Sequence, residues 1–136
     1  MQDVLNIEAA SNLTPWSKKT FQKILEIRSI SFVIRSKESV VAFCIANKVL
    51  DDCHLQNIAV IEKLRGKGIG TFMLNILFKR VKLSNLDTIL LEVRESNEIA
   101  RKFYRDNGFK ELSVRKNYYK AEKGRENAII MRLEVA

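Results

Sequence analysis

The chain has few of the residues that define several common kinds of protein. Its 136 residues include one proline, one histidine, one tryptophan and two cysteines. Two thiols do not build a disulfide framework, and a single histidine beside Cys53 does not supply the three or four ligands of a metal site. Cys44 and Cys53 lie in apolar, strand-like stretches, so we interpret both as small core residues and expect no metal.

Long apolar runs and a leader-like start are also missing. The longest apolar stretches, such as residues 40–46, are much shorter than the ~20 residues of a membrane-spanning helix. Met1-Gln2-Asp3 lacks the basic and apolar regions of a signal peptide. We therefore expect a cytoplasmic protein.

The composition describes one basic, folded domain. Hydrophobic residues make up 46% and charged residues 29%, with a net charge of +8. This length suits a single domain over residues 1–136 with one core. The charge favours a polyanionic partner such as nucleic acid, a ribosomal surface or a phosphorylated cofactor. Because the basic residues are spread along the chain, a solvated basic surface remains an alternative for most of them.

Hydrophobic periodicity predicts an α/β protein. Strands are predicted over residues 31–35, 40–49, 53–60, 88–93, 109–119 and 128–135. Helices are predicted over residues 2–10, after a cap at Ser17, from Ile69 to about residue 84, and from a cap at Asn97 to Gly108. The first three strands form an antiparallel meander, and the apolar run 88–93 predicts a central strand. We expect a mixed sheet with helices on both faces.

Two of these helices have a predicted apolar face. The three-to-four spacing places Phe21, Ile24, Leu25 and Arg28 together on the second helix. The same spacing groups four residues of the last helix: Ile99, Ala100, Phe103 and Tyr104.

One loop carries three alternating glycines. Arg65-Gly66-Lys67-Gly68-Ile69-Gly70 lies between a predicted strand and a predicted helix, where free N–H groups and the helix dipole form an anion site. The dinucleotide fingerprint is excluded because Thr71 and Met73 occupy its last position in the two possible registers, and no P-loop motif occurs. The loop predicts a phosphate-bearing ligand. A tight strand-to-helix turn without a ligand is the simpler alternative.

The loop and the residues before it resemble a known cofactor motif. Ile58-Ala59-Val60 followed by the loop is similar to the acetyl-CoA motif of the GNAT superfamily of N-acetyltransferases, usually written Arg/Gln-x-x-Gly-x-Gly/Ala. Arg65, Gly68 and Gly70 take its fixed positions. Four later segments resemble the second half of that fold: Leu91-Glu92-Val93-Arg94, Ser96-Asn97, Phe103-Tyr104 and Asn107-Gly108-Phe109.

Three further segments narrow the resemblance to the bacterial RimI-type ribosomal-protein-alanine N-acetyltransferases. They are Pro15-Trp16-Ser17, residues 115–119 and residues 124–131. The resemblance covers nearly the whole chain and implies a GNAT fold, with a mixed, mostly antiparallel central sheet flanked by helices. Relatives begin with a strand before the first helix, and we expect that strand to be missing here. At Asn127 the family usually carries an acidic residue, which leaves the role of that charge open.

The resemblance also implies a role for each residue of a candidate site. Glu92 would be the general base, and Tyr104 the general acid that protonates the thiolate of coenzyme A. The acceptor would contact Trp16, Tyr118 and Tyr119. Acetyl-CoA would contact eleven residues: Ile58, Ala59, Val60, Arg65, Gly66, Lys67, Gly68, Ile69, Gly70, Thr71 and Asn97. No residue resembles a covalent nucleophile, which favours direct transfer in a ternary complex.

The residue types alone leave simpler interpretations open. Glu92 fits equally a carboxylate solvated at a strand end or paired with Arg94. By periodicity Tyr104 is a core aromatic, and Asn97 is a helix cap whether or not it also contacts a cofactor. Each aromatic residue of the acceptor set fits a core position too.

The leading functional hypothesis is acetylation of the N-terminal alanine of a small-subunit ribosomal protein. The expected partner is a protein N-terminus, with no membrane and no direct nucleic-acid contact required, and the oligomeric state is left open. A GNAT acetyltransferase for a small amine or polyamine is the first alternative. A basic ribosome-binding or nucleic-acid-binding module without catalysis is the second.

Overall fold

The computed structural model describes residues 1–12, 14–25, 29–121 and 123–135. Four α-helices are present in this part: α1 (Gln2–Ser11), α2 (Lys18–Leu25), α3 (Ile69–Leu83) and α4 (Glu98–Asp106). Six strands accompany them: β1 (Phe32–Ser36), β2 (Ser39–Val49), β3 (Asp52–Val60), β4 (Thr88–Arg94), β5 (Lys110–Lys120) and β6 (Arg125–Glu134). No strand precedes α1 among the described residues, and none of the described helices is long and apolar enough to cross a membrane.

The strands form one open sheet in the order β1-β2-β3-β4-β6-β5. The first three make the predicted antiparallel meander. Strand β4 pairs in parallel with β3, and the hairpin of β5 and β6 completes a mostly antiparallel sheet. The central position predicted for β4 is confirmed. Although β5 comes before β6 in the chain, β6 lies beside β4 and β5 forms the edge.

The two faces of the sheet carry separate apolar clusters. Helix α3 covers one face with Met73, Leu74, Leu77 and Val81, all fully buried. Helix α1 and Phe21 of α2 cover the other face. There they pack on strand residues whose side chains point away from α3, such as Phe43 of β2. Because side chains alternate along a strand, β2 supplies both clusters in turn. The expected layer of helices on each face is therefore confirmed.

Helix ends follow the predicted capping residues. The Ser17 hydroxyl accepts from the Thr20 N–H at 3.2 Å, and the Asn97 side chain accepts from the Ala100 N–H at 3.1 Å. Gly108 ends α4 with φ +99°, the left-handed conformation that glycine adopts without strain.

Two residues differ from the sequence-based expectation. Leu25 is 39% exposed and Ile99 is 86% exposed, so neither belongs to the buried face predicted for its helix. Arg28, predicted on the same face as Phe21, lies outside the described residues. Strand β5 has only one residue that is not exposed, and it forms the edge of the sheet, where it pairs with β6 alone.

Candidate active site

A groove opens where two neighbouring strands separate. The pairing of β3 with β4 ends at Leu55 and Leu91. Beyond that point β3 stays paired with β2 as far as Val60, and β4 stays paired with β6 as far as Arg94. Each strand therefore turns one edge toward the gap between them. Three cavities that share walls follow this gap, and we name them the loop, middle and tyrosine cavities.

The loop cavity, of about 690 Å³, lies between the glycine loop, the end of β3 and α4. Ten of the eleven residues predicted to bind a cofactor line it: Ile58, Ala59, Val60, Arg65, Gly66, Gly68, Ile69, Gly70, Thr71 and Asn97. Lys67 is exposed and is not among the lining residues. Ser11 of α1 and Leu64 also line it, and no sequence pattern singled out either residue.

The three glycines of the loop are needed for different reasons. Gly66 and Gly68 have φ +75° and +82°, and a Cβ at either would meet nothing within 4 Å. They therefore allow a left-handed turn whose backbone faces open space. A Cβ on Gly70 would lie 2.9 Å from Cζ of Phe103, so Gly70 allows α3 to approach α4 closely. The first helical bond runs from the Phe72 N–H to the Gly68 carbonyl at 3.1 Å, which leaves the preceding N–H groups free of helical partners.

The guanidinium of Arg65, which lines the loop cavity, is hydrogen-bonded to neighbouring residues of the protein. Its Nε donates to the Val60 carbonyl at 3.0 Å, and its Nη2 donates to the Ser11 hydroxyl at 2.8 Å. The guanidinium thus ties the loop to β3 and α1. This arginine therefore holds in place the loop whose backbone N–H groups are the candidate anion site.

Tyr104 lies where the loop cavity meets the middle cavity, of about 220 Å³, and lines both. Its ring packs against Phe103 and Phe109, with ring centres 5.3 and 5.5 Å away. Burial raises the pKa of its hydroxyl well above the ordinary value, with nearby Cys44 and Tyr119 adding to the shift. Tyr104 can therefore be both a core aromatic and a candidate general acid. Its ring is packed in the core, its edge borders the groove and its hydroxyl keeps its proton.

Glu92 lies on β4 between the middle and tyrosine cavities and lines both. Its carboxylate is 32% exposed and pairs with Arg115 of β5, Oε1 to Nη1, at 3.3 Å. The alternative pairing with Arg94 is wrong. Arg94 instead binds Glu126 at 2.8 Å, because β6 brings that carboxylate next to the end of β4.

The tyrosine cavity, of about 510 Å³, has both polar and aromatic walls. All three residues predicted to contact an acceptor line it: Trp16, Tyr118 and Tyr119. Burial raises the pKa of Tyr119 to about 12. His54 and Gln56 of β3 also line this cavity, where sequence reasoning had considered the histidine only as a metal ligand and rejected it.

Sequence reasoning missed the arginines that support these aromatic rings. The guanidinium of Arg94 lies 4.6 Å from the ring centre of Tyr119, and that of Arg115 lies 4.2 Å from the ring centre of Tyr118. Arg115 also pairs with Glu92, so a carboxylate, a cation and a ring meet at one point. Glu92 and Arg115 lie far apart in sequence, and the register of β4, β6 and β5 brings them together.

Asn127 holds the bulge of β5 that carries the tyrosines. Its Oδ1 accepts from the Asn117 N–H at 3.0 Å, and its Nδ2 donates to Glu95 at 3.1 Å. Asn117 has φ +53°, and the β5–β6 register shifts between Arg115 and Tyr119. An ionised aspartate could accept the first of these bonds but could not donate the second.

The two thiols take no part in the groove. Both are buried and free, and burial raises the pKa of Cys53 to about 12 and that of Cys44 further. Thiols that stay protonated are poor nucleophiles. Within the described residues there is no group of three or more His, Cys, Asp or Glu side chains placed to hold a metal ion.

Comparison with known proteins identifies relatives of this chain. The profile of the acetyltransferase (GNAT) family matches residues 1–109. The [ribosomal protein bS18]-alanine N-acetyltransferase of Haemophilus ducreyi is 36% identical over 131 residues, which are 96% of this chain and 90% of that protein. The corresponding enzyme of Escherichia coli K12 is 37% identical over 131 residues, 96% of this chain and 88% of its own length.

The fold agrees with these matches. The crystal structure of the ribosomal-protein-S18-alanine N-acetyltransferase from Escherichia coli superposes with a TM-score of 0.91 at 36% identity, covering 99% of this chain and 87% of that one. The Ard1 structure from Thermoplasma volcanium has a TM-score of 0.88 at 23% identity, covering 99% of this chain and 93% of its own, and supports the fold alone. This chain belongs to the GNAT family of acetyltransferases.

Proposed function

We propose that this chain transfers the acetyl group of acetyl-CoA to a protein N-terminus, and that its acceptor is the N-terminal alanine of ribosomal protein bS18. The acceptor is inferred from the activity of the relatives that are 36% and 37% identical over 96% of the chain. A ribosomal protein is a cytoplasmic substrate in bacteria, so we infer that the chain acts in the cytoplasm. The whole of residues 1–136 would serve as one catalytic domain.

The observation that carries the proposal is the continuity of the groove. The loop and tyrosine cavities each share residues with the middle cavity: Tyr104 lines the loop and middle cavities, and Glu92 lines the tyrosine and middle cavities. Two substrates entering from the two ends would meet between these side chains. Direct transfer in a ternary complex requires such a meeting point.

The loop cavity fits acetyl-CoA, which supplies the acetyl group as an activated thioester. The free N–H groups at the start of α3 would bind its pyrophosphate, and the left-handed turn at Gly66 and Gly68 leaves the space a phosphate needs. Residues 58–60, on the β3 edge that faces the gap, would hydrogen-bond the pantetheine arm. Asn97, already the cap of α4, would line the same path.

Glu92 would act as the general base. An α-amino group has a pKa of about 8, so part of it is neutral at cytoplasmic pH and only one proton must be removed during attack. The carboxylate lines both cavities through which the amine would pass. It would accept that proton directly or through one water molecule.

Tyr104 would act as the general acid. Burial holds its pKa above the ordinary value, so its hydroxyl keeps its proton at neutral pH. Tyr104 lines both the loop and the middle cavity, and the sulfur of the leaving thiolate would lie beside it, where these cavities meet. It would donate its proton to that sulfur as the bond to the acetyl group breaks.

The test is an acetylation assay with acetyl-CoA and a peptide that carries the N-terminal residues of bS18, beginning with alanine. Mass spectrometry should locate a single acetyl group on the α-amino nitrogen. The matched control is the same peptide with its N-terminus already acetylated and its lysines intact, which should gain nothing. Acetylation of lysine side chains or of spermidine alone would contradict the proposed acceptor.

A second measurement distinguishes an enzyme from a binding module. Acetyl-CoA should raise the melting temperature of the wild type, because a ligand that binds only the folded state stabilises it. A basic binding module would show no such shift, and its binding to nucleic acid would weaken steeply with salt.

A further inference from the structure

Glu8 is a charged side chain buried behind the groove. It lies on α1 with 0% of its surface exposed. Three N–H groups donate to it: Nδ2 of Asn57 to Oε1 at 2.9 Å, and the Trp16 backbone N–H and Nδ2 of Asn12 to Oε2 at 2.8 and 3.3 Å. All three donors are uncharged. Burying a carboxylate is costly even when both of its oxygens accept hydrogen bonds, if the donors are neutral, so this arrangement requires an explanation.

All three donors belong to the walls of the groove. Trp16 lines the middle and tyrosine cavities, and Asn57 and Asn12 line the middle cavity. Asn57 lies on β3 just beyond Leu55, where β3 has left β4, and is followed by Ile58 of the loop cavity. Glu8 therefore connects the wall that faces the acceptor with the strand that faces the cofactor.

The support for Trp16 comes from two directions. Its backbone is held by Glu8, and its ring packs on Phe21 with ring centres 5.0 Å apart. Trp16 belongs to the connection between α1 and α2 and not to either helix. Without the bond to Glu8, this part of the connection would lose its hydrogen-bonded attachment to α1.

We propose that Glu8 is a positioning residue, whose carboxylate fixes Trp16 and Asn57 relative to each other so that the acceptor peptide meets the thioester. This role rests on the proposed acetyl transfer to a protein N-terminus. Glu8 contacts neither substrate and acts through these two residues. Its loss therefore affects acceptor binding more than the affinity for acetyl-CoA.

The shape of the cluster predicts which substitutions are tolerated. In Glu8→Gln the amide oxygen can replace Oε2, and the new NH₂ group faces Asn57, whose amide can rotate to present its oxygen. This variant should keep the peptide KM within about threefold of wild type. Glu8→Ala leaves the donors unpaired and should raise the peptide KM about tenfold or more, with the acetyl-CoA dissociation constant nearly unchanged.

A reciprocal exchange tests the Glu8–Asn57 contact directly. Asn57→Asp alone places two carboxylates against each other and should raise the peptide KM about tenfold. Combined with Glu8→Gln, the aspartate accepts from the glutamine, and the peptide KM should return to within about threefold of wild type. Failure of the double variant to recover, with the protein folded, would overturn the proposal.

The fluorescence of Trp16 gives a readout that does not depend on the reaction. Trp16 is the only tryptophan of the chain, so its emission and its quenching by acrylamide report this position alone. Glu8→Ala should increase quenching, while Glu8→Gln should not. Unchanged quenching in folded Glu8→Ala would refute the positioning role. If the wild type does not acetylate the peptide, the proposed function fails, and fluorescence still decides whether Glu8 positions Trp16.

Discussion

The guanidinium of Arg94 lies 4.6 Å from the ring centre of Tyr119 while its Nη1 atom binds Glu126 at 2.8 Å. The same nitrogen donates to the Lys120 carbonyl at 2.6 Å, and Nη2 donates to the Thr14 hydroxyl at 3.1 Å. One side chain at the end of β4 thus fixes the β5–β6 hairpin and the segment after α1. The wall of the tyrosine cavity is held from both sides.

Replacing Arg94 with lysine should weaken acceptor binding. Lysine keeps the charge but loses the planar group that stacks on Tyr119 and bonds several acceptors at once. We expect the KM for the peptide to rise about three- to tenfold, with little change in the acetyl-CoA dissociation constant. Steady-state kinetics and calorimetry measure the two quantities. Arg132→Lys is the matched control, because Arg132 pairs with the exposed Glu134 and should leave both values unchanged.

Glu92→Gln should lower kcat by about a hundredfold or more, since the amide cannot accept the proton of the amine. The peptide KM should change less, because glutamine keeps the size of the side chain. Single-turnover kinetics separate the chemical step from product release. Glu98→Gln, at an 81% exposed position of α4, provides the control. An unchanged kcat in Glu92→Gln would remove this residue from the mechanism.

Tyr104→Phe should lower kcat by about a hundredfold while keeping the packing of the ring. The variant also has an expected effect on alkaline stability. Because the folded-state pKa of Tyr104 lies above the unfolded value of ~10, this group stabilises the fold fully below that pH and progressively less as the pH rises toward the folded-state pKa. Urea unfolding between about pH 9 and 11 should therefore show a smaller loss of stability in Tyr104→Phe than in the wild type. Equal losses in both proteins would contradict the buried, protonated hydroxyl.

Gly70→Ala should destabilise the protein by about 1–3 kcal/mol, because the new Cβ meets the Phe103 ring at 2.9 Å. Denaturant unfolding measures the free energy. The double variant with Phe103→Leu should be destabilised by less than the sum of the single effects, since the smaller side chain relieves the contact. Simple additivity would show that the cost arises elsewhere.

Asn127→Asp should raise the peptide KM about threefold to tenfold, because the bond that Nδ2 donates to Glu95 is lost and a second carboxylate then faces Glu95, although the Asn117 N–H keeps an acceptor. High salt should reduce the effect by screening the repulsion. The measurement is the peptide KM at low and high salt. Asn127→Ser, which removes the amide without adding charge, is the comparison, and an equal salt response in both variants would argue against repulsion as the cause.

The hydrophobic pattern was sufficient for most of the fold. The helix from Ile69, the central strand from Thr88 and the caps at Ser17 and Asn97 were all predicted, because each depends on neighbouring residues in the chain. Ile99 was placed on the wrong side by the same reasoning. A nine-residue helix has few turns, and its burial depends on what packs against it.

The set of residues lining the groove was also largely predicted, from the resemblance and not from the physics of single residues. Ten of eleven expected cofactor residues line the loop cavity, and the three expected acceptor residues line the tyrosine cavity. Their roles in binding and catalysis remain predictions. The physical reason for Gly70 was different from the expected one, because its closest neighbour is Phe103 on another helix.

What the sequence determined by itself was therefore local: the elements, their caps, and a glycine loop at the start of a helix. What the tertiary structure decided was which distant side chains meet. Glu92 pairs with Arg115 instead of Arg94, Arg94 supports Tyr119, and Glu8 holds Trp16 and Asn57. Such contacts depend on strand order and register, and in this protein those follow from where β3 and β4 part and from β6 lying between β4 and β5.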